Sequence, residues 1–147
     1  MKLRIAWIGR TRSTPIQSLT AEYVKRLSHY AACDAQELPS EAALFKLVEK
    51  STSRTPPVLV LLDSCGRQLT SEEIANFLEY HQSHGTQELL FAVGPADGWS
   101  DEARAQAKNI ISFGKVTLPH ELARVVLLEQ LYRGFTILKG HPYHGGH

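Results

Sequence analysis

Cysteine is scarce: Cys33 and Cys65 are the only two in 147 residues, and they form no CxxC pair. That excludes a disulfide scaffold and a zinc ribbon, and it fits a reducing cytoplasm. No apolar run approaches the ~20 residues of a membrane span. The opening MKLRIAWIG is too short for a signal peptide, and no small-residue cleavage site follows it. A soluble cytoplasmic protein is expected. Motifs are missing too: there is no GxGxxG, GxxxxGK[ST], HExxH or GxSxG. Dinucleotide, P-loop, zincin and α/β-hydrolase readings lose their main support. An excess of charge is also lacking, with a net +1 at pH 7.

What is present is ordinary for a globular chain. The hydrophobic fraction is 43% and the charged fraction 21%, which excludes wholesale disorder and a collagenous fibre. The length suits one domain over residues 1–147, able to bury a core without staples. The charge is unevenly placed. Residues 1–30 carry six bases and one acid, residues 31–114 six bases and twelve acids, and residues 115–147 four bases and two acids. If the two basic ends meet, they form a surface for phosphates.

Apolar runs and caps alternate along the chain. Residues 3–8 read as a buried strand closed by Gly9. Ser13 or Thr14 caps a helix with Pro15 near its start. A weak strand follows near residues 35–38, then a helix capped by Ser40. The aliphatic run 58–62 suggests a central parallel strand. Thr70 and Glu73 have capping-box spacing, and Gly85 suits the end of that helix. Strands at 88–93 and 109–113 enclose a short helix capped by Ser100. A long helix covers 118–138, with Thr117 as its expected N-cap. The fold class is α/β, a mostly parallel sheet of about five strands flanked by helices. Val125, Val126, Leu127 and Leu128 make the last helix apolar all round. Such a helix needs a second covering surface, for which a partner subunit is the default.

Open α/β sheets bind ligands beyond the carboxyl ends of their strands. Three such ends stand out: Asp63-Ser64-Cys65-Gly66, Gly94-Pro95-Ala96-Asp97-Gly98, and Phe113-Gly114-Lys115-Val116-Thr117-Leu118-Pro119-His120. Their glycines permit close backbone approach to a ligand. His120 opens the last helix, where anions are favoured, and Arg124 lies one turn on. Glu129 and Arg133 are spaced for an ion pair. His141, Tyr143, His144 and His147 crowd the tail. They suit stacking on an unpaired RNA base better than a zinc finger.

The blocks Thr117-Leu118-Pro119-His120, Arg124 through Arg133, and Pro142-Tyr143-His144 closely resemble the ribosomal RNA large subunit methyltransferase H family. This is a small branch of the SPOUT methyltransferases. The likeness extends over the whole chain, through MKLRIAWIG, Glu22-Tyr23, Leu62-Asp63 with Gly66, and Ala96-Asp97-Gly98. It implies a SPOUT-type fold with a C-terminal trefoil knot, and a homodimer. It implies S-adenosylmethionine held by Leu62, Gly94, Phe113, Gly114, Lys115, Val116, Thr117 and Leu118. It further implies methylation at N3 of a pseudouridine in 23S rRNA of the assembled ribosome. No metal is called for. The candidates for handling the base are His120, Arg124, Tyr143 and His144, the tail serving its own site or the other subunit's. Arg133 would hold phosphate or Glu129.

Three positions depart from the family pattern. Gly94-Pro95 replaces two glycines, Gly134 replaces an alanine, and Gly145-Gly146-His147 replaces a basic end. Proline removes a donor from the first loop. A helix-interior glycine costs up to about 1 kcal/mol. The altered tail forfeits a phosphate contact. The competing expectations are a SPOUT enzyme with another RNA target, and a non-catalytic RNA- or nucleotide-binding module.

Overall fold

The computed structural model describes residues 1–107 and 109–145; the expectation for Gly146 and His147 lies outside them. Strands and helices alternate strictly: β1 Lys2–Ile8, α1 Thr14–Leu27, β2 Ala32–Leu38, α2 Glu41–Glu49, β3 Val58–Gln68, α3 Ser71–Ser83, β4 Glu88–Val93, α4 Asp101–Gln106, β5 Asn109–Ser112 and α5 His120–Leu138. The strands form one sheet in the order β2-β1-β4-β3-β5. Every pairing is parallel. The expected α/β class and strand number are therefore found.

The strand period sorts side chains to the two faces. Leu3, Ile5, Trp7, Val60, Leu89, Phe91 and Val93 pack with α1, α3 and α5. Ala6, Ile8, Leu59, Leu61, Leu90 and Ala92 pack with α2 and α4. β4, second neighbour to both edges, is buried at all six residues. Helix starts follow their caps. Ser13, Ser40 and Ser100 each accept the amide three residues on, and Thr70 and Glu73 complete a reciprocal capping box.

Three sequence expectations need correction. The first concerns β3, which does not end at residue 62. Its ladder with β5 breaks after Leu62 and resumes at Arg67, so residues 63–66 bulge outward. The polar residues hide this continuation because the backbone alone makes the pairing. Gly66 lies directly on β5: an added Cβ would stand 2.6 Å from the Ile111 carbonyl carbon. The second concerns the start of α5. Pro119, not Thr117, occupies its N-cap position, and no side chain caps it. The third concerns its apolar girth. α5 lies against the sheet between α1 and α3, which cover Leu127, Leu128, Leu131 and Phe135 within the chain. Most of its apolar surface is thus covered within the chain, while Leu122 stays exposed. Gly134 is what lets α3 come close, since a Cβ there would meet Leu78 Cδ1 at 2.9 Å.

Candidate functional site

The strand order places the carboxyl ends of β4, β3 and β5 side by side. Their three following segments converge on a cleft of about 360 Å³. That is within the ~300–1,000 Å³ range of small-ligand sites. Its floor is the last apolar residues of the strands, Leu62, Val93 and Ile111. Its walls are residues 94–99 and 113–118, with His120 and Ala123 of α5 closing one side.

Each wall has a local cause. Trp99 packs flat on Gly94, where any Cβ would fall 2.9 Å from its ring. The Trp99 indole Nε1 donates to the Leu62 carbonyl at 2.9 Å, tying the 94–99 segment to the end of β3. Gly98 turns with φ +86 and Gly114 with φ +109, a region that favours glycine. The Ser112 hydroxyl donates to the Gly114 carbonyl at 3.0 Å and accepts its amide at 3.2 Å, which sets that turn. Beyond it, among the described residues, Lys115, Val116, Thr117 and Leu118 make no backbone hydrogen bond. Unpaired amides and carbonyls bordering a cleft are what a nucleoside edge requires of a protein.

The bulge supplies one buried carboxylate. Asp63 accepts from Arg104 Nε at 3.1 Å and from the Cys65 amide at 3.0 Å. Burial pushes its carboxyl up, but the Cys65 donors and Arg104 outweigh this and hold it below the usual range. Asp63 is therefore ionised and neutralised at neutral pH. Trp99 and Arg104 were not among the expected site residues. The one signal for them is a tryptophan set in a loop of small residues.

All eight residues expected to hold a cofactor line this cleft: Leu62, Gly94, Phe113, Gly114, Lys115, Val116, Thr117 and Leu118. Of the four expected to handle a base, His120 alone lines it. Arg124 does not, although it lies one turn from His120. It is fully buried, with its guanidinium donating to Thr11 Oγ1 at 2.8 Å and the Ile8 carbonyl at 3.2 Å. The same group stacks over Trp7 at 5.3 Å. Its role is to tie α5 to the end of β1, and the expectation that it touches a substrate base is corrected.

Tyr143 and His144 are also elsewhere. The Tyr143 phenol donates to Glu129 Oε1 at 3.1 Å. Burial first, then Tyr23 and Glu129, push its pKa well above the ordinary phenol value, so it stays protonated. His144 Nδ1 lies 3.0 Å from Arg133 and its Nε2 3.1 Å from Glu72. Arg133 meets Glu129 at 2.7 Å, the pairing that the i,i+4 spacing foresaw. The tail thus packs along α5 and α3, away from the cleft of its own chain. No group of three or more histidines, cysteines or acids among the described residues is placed to hold a metal.

A family model described as "Predicted SPOUT methyltransferase" matches residues 1–144. The chain is 61% identical over 147 residues, spanning both proteins completely, to a ribosomal RNA large subunit methyltransferase H of Koribacter versatilis. It is 42% identical to the protein of that name in Gloeobacter violaceus, covering 99% of this chain and 100% of that one. Among solved structures it is similar to the SpoU methyltransferase AviRb of Streptomyces viridochromogenes in complex with AdoMet. That match has a TM-score of 0.56 at 19% identity, over 88% of this chain and 56% of the other. A probable methylase family protein from Haemophilus influenzae matches with a TM-score of 0.62 at 13% identity, over 95% and 69%.

Proposed function

This chain belongs to the ribosomal RNA large subunit methyltransferase H family of SPOUT methyltransferases, and from that we propose that it methylates N3 of a pseudouridine in 23S rRNA of the assembled ribosome, with S-adenosylmethionine as donor. The observation that carries this reading is the cleft. Three adjacent strand ends present glycine-bearing walls and an unpaired backbone stretch from Lys115 to Leu118. A mixed apolar floor and free backbone groups fit an adenosine joined to a short amino-acid chain.

S-adenosylmethionine supplies a methyl group on a positively charged sulfur. The rest falls to this chain. Lys115, Val116, Thr117 and Leu118 offer backbone partners to the nucleoside, while Leu62, Gly94, Phe113 and Gly114 shape the space around it. Asp63, paired with Arg104, braces the wall beside the cleft and adds no net charge there. The acceptor nitrogen must lie in line with the bond that breaks and must lose its proton. His120 is the imidazole at the rim placed to take or relay it. Tyr143 stays protonated and donates hydrogen bonds. With His144 it serves the cleft of a second copy, since it packs away from its own.

A homodimer with a trefoil knot in its C-terminal part completes the reading. Support for the dimer comes from apolar side chains left exposed around α1, α5 and the cleft: Leu19, Leu122 and Val116, the last 72% exposed. Support for the knot comes from the bulge of residues 63–66 and the contact of Gly66 with the β5 backbone. No helix among the described residues is long and apolar enough to cross a membrane. A ribosomal substrate is met in the cytoplasm, which is where this reading puts the enzyme.

The test is a pair of variants. Gly114→Val puts a β-branched residue at φ +109 and should weaken S-adenosylmethionine binding at least tenfold, read by titration calorimetry. His144→Ala should retain cofactor binding and lose methyl transfer. Parental transfer by His144→Ala removes the tail from the mechanism. Parental binding by Gly114→Val removes the cleft.

A further inference from the structure

The bases at the two ends of β1 have different fates. At the amino end, Lys2 meets Asp34 at 3.1 Å, and Arg4 meets Glu88 at 3.1 Å. Those charges are paired with acids, Arg4 half-buried and Lys2 at the surface. At the carboxyl end, residues 9–13 carry Arg10 and Arg12, both exposed. Among the described residues neither side chain makes an ion pair or a hydrogen bond. The acids nearest to them are engaged with the backbone. Glu37 accepts the Thr11 amide at 2.8 Å, and Glu121 accepts the Arg12 and Ser13 amides at 3.0 and 3.1 Å.

The loop that bears them is unusually well held. Arg124 grips it from beneath through Thr11 Oγ1 and the Ile8 and Gly9 carbonyls. The Gln17 side chain donates to the Thr11 carbonyl at 3.1 Å. Gly9 takes φ +100, and a Cβ there would face Arg124 at 3.7 Å. The anchoring holds fixed the backbone from which Arg10 and Arg12 project. The anchoring also joins it to the site. Glu121 follows His120 directly, so the loop is tied to the first turn of α5 at the cleft rim. Here the two basic ends of the sequence meet.

We propose that the loop of residues 9–13 is a platform for the RNA phosphodiester backbone. Arg10 and Arg12 bind phosphates flanking the target nucleotide, and Arg124 is the positioning residue that fixes the platform relative to His120. The proposal rests on the RNA substrate named above and adds where the strand lies. Arginine suits the role because its planar fork matches phosphate oxygens and stays charged.

The experiment uses the full-length chain with Arg10→Ala and Arg12→Ala combined. Binding to 23S rRNA and the KM for unmodified ribosomes are measured across a salt series. The double variant should raise KM roughly tenfold and flatten the log–log salt slope by about one per arginine. Its affinity for S-adenosylmethionine and its thermal midpoint should match the parent. Lys2→Ala removes one charge at the amino end and should leave the slope unaltered, against a fall of about one for either arginine alone. Arg124→Met should raise KM in the parent but add nothing to the double variant, a non-additivity that a purely structural role would not give. Parental KM and slope in the double variant would overturn the proposal. If the parent itself transfers no methyl group yet the double variant still loses RNA affinity and slope, the platform stands and the methyl-transfer reading falls.

Discussion

Gly66→Ala is a one-carbon change that should damage both stability and binding. The new Cβ would lie 2.6 Å from the Ile111 carbonyl carbon and 2.7 Å from the Ile110 carbonyl carbon and the Ile111 nitrogen. Ordinary contacts of such atoms begin near 3.5 Å. Relief therefore needs a backbone shift approaching 1 Å, because no flexible side chain is available to yield. β5 has only four residues, and Ile111 is part of the buried core. Overpacking against a fixed backbone costs about 3 kcal/mol, at the upper end of what small-to-large changes cause. In a chain of 147 residues that corresponds to a fall in Tm of roughly 6–12 °C. The same shift moves Ile111 and the start of the 113–118 wall, so S-adenosylmethionine affinity should fall in parallel. The assay is urea unfolding followed by fluorescence, paired with calorimetric titration of the cofactor. Gly145→Ala, with nothing within 4 Å of the added carbon, serves as the neutral comparison. A Gly66→Ala protein with the parental urea midpoint would refute the reasoning that β3 and β5 touch at this point.

Trp99→Phe keeps the packing on Gly94 but leaves the Leu62 carbonyl without its donor; it should cost about 1 kcal/mol in urea unfolding and weaken cofactor binding. His81 is buried, and burial lowers its pKa below the ordinary value. Its neutral form is favoured in the fold, so its contribution to stability is complete above about pH 6.5 and is lost as the pH falls through the lower folded value. His81→Gln should flatten the slope of stability against pH in that window, measured by urea midpoints. Glu37 is held below the usual carboxylate range, chiefly by the Thr11 amide. Its stabilisation is present above about pH 4.5 and is lost as the pH falls below it, so Glu37→Gln should reduce acid sensitivity while lowering stability at pH 7. Gly134→Ala gains helix propensity of up to about 1 kcal/mol but collides with Leu78; thermal unfolding should show no gain over the parent, whereas on a Leu78→Ala background, itself destabilised, the same change should raise the midpoint.

Much of the fold was legible because its elements announce themselves locally. Pro15 after Ser13, Ser40, the Thr70–Glu73 box and Ser100 each start a helix where the structure has one. The runs ending in Ile8 and Val93 are strands whose alternate residues feed both faces of the sheet. The cleft was legible for a topological reason, since loops after neighbouring parallel strands must converge. Burial of a charged side chain was not. His120 and Arg124 share a helical spacing, yet one faces the cleft and the other dives under β1. Spacing assigns a face but not what covers it. The bulge after Leu62 was hidden because polar residues paired through backbone atoms leave no hydrophobic signature. The apolar girth of α5 pointed to a partner, whereas α1, α3 and the sheet supply most of the cover.

The most direct test of the account is transfer of labelled methyl from S-adenosylmethionine to unmodified ribosomes, with the modified nucleotide identified by mass spectrometry and free 23S rRNA as the control. The account predicts one methyl group at N3 of a pseudouridine in 23S rRNA of assembled ribosomes, with little label in the free RNA. Label at a different nucleotide would contradict the proposed substrate while leaving a methyltransferase, and no label on any RNA by a cofactor-bound protein would contradict the central claim.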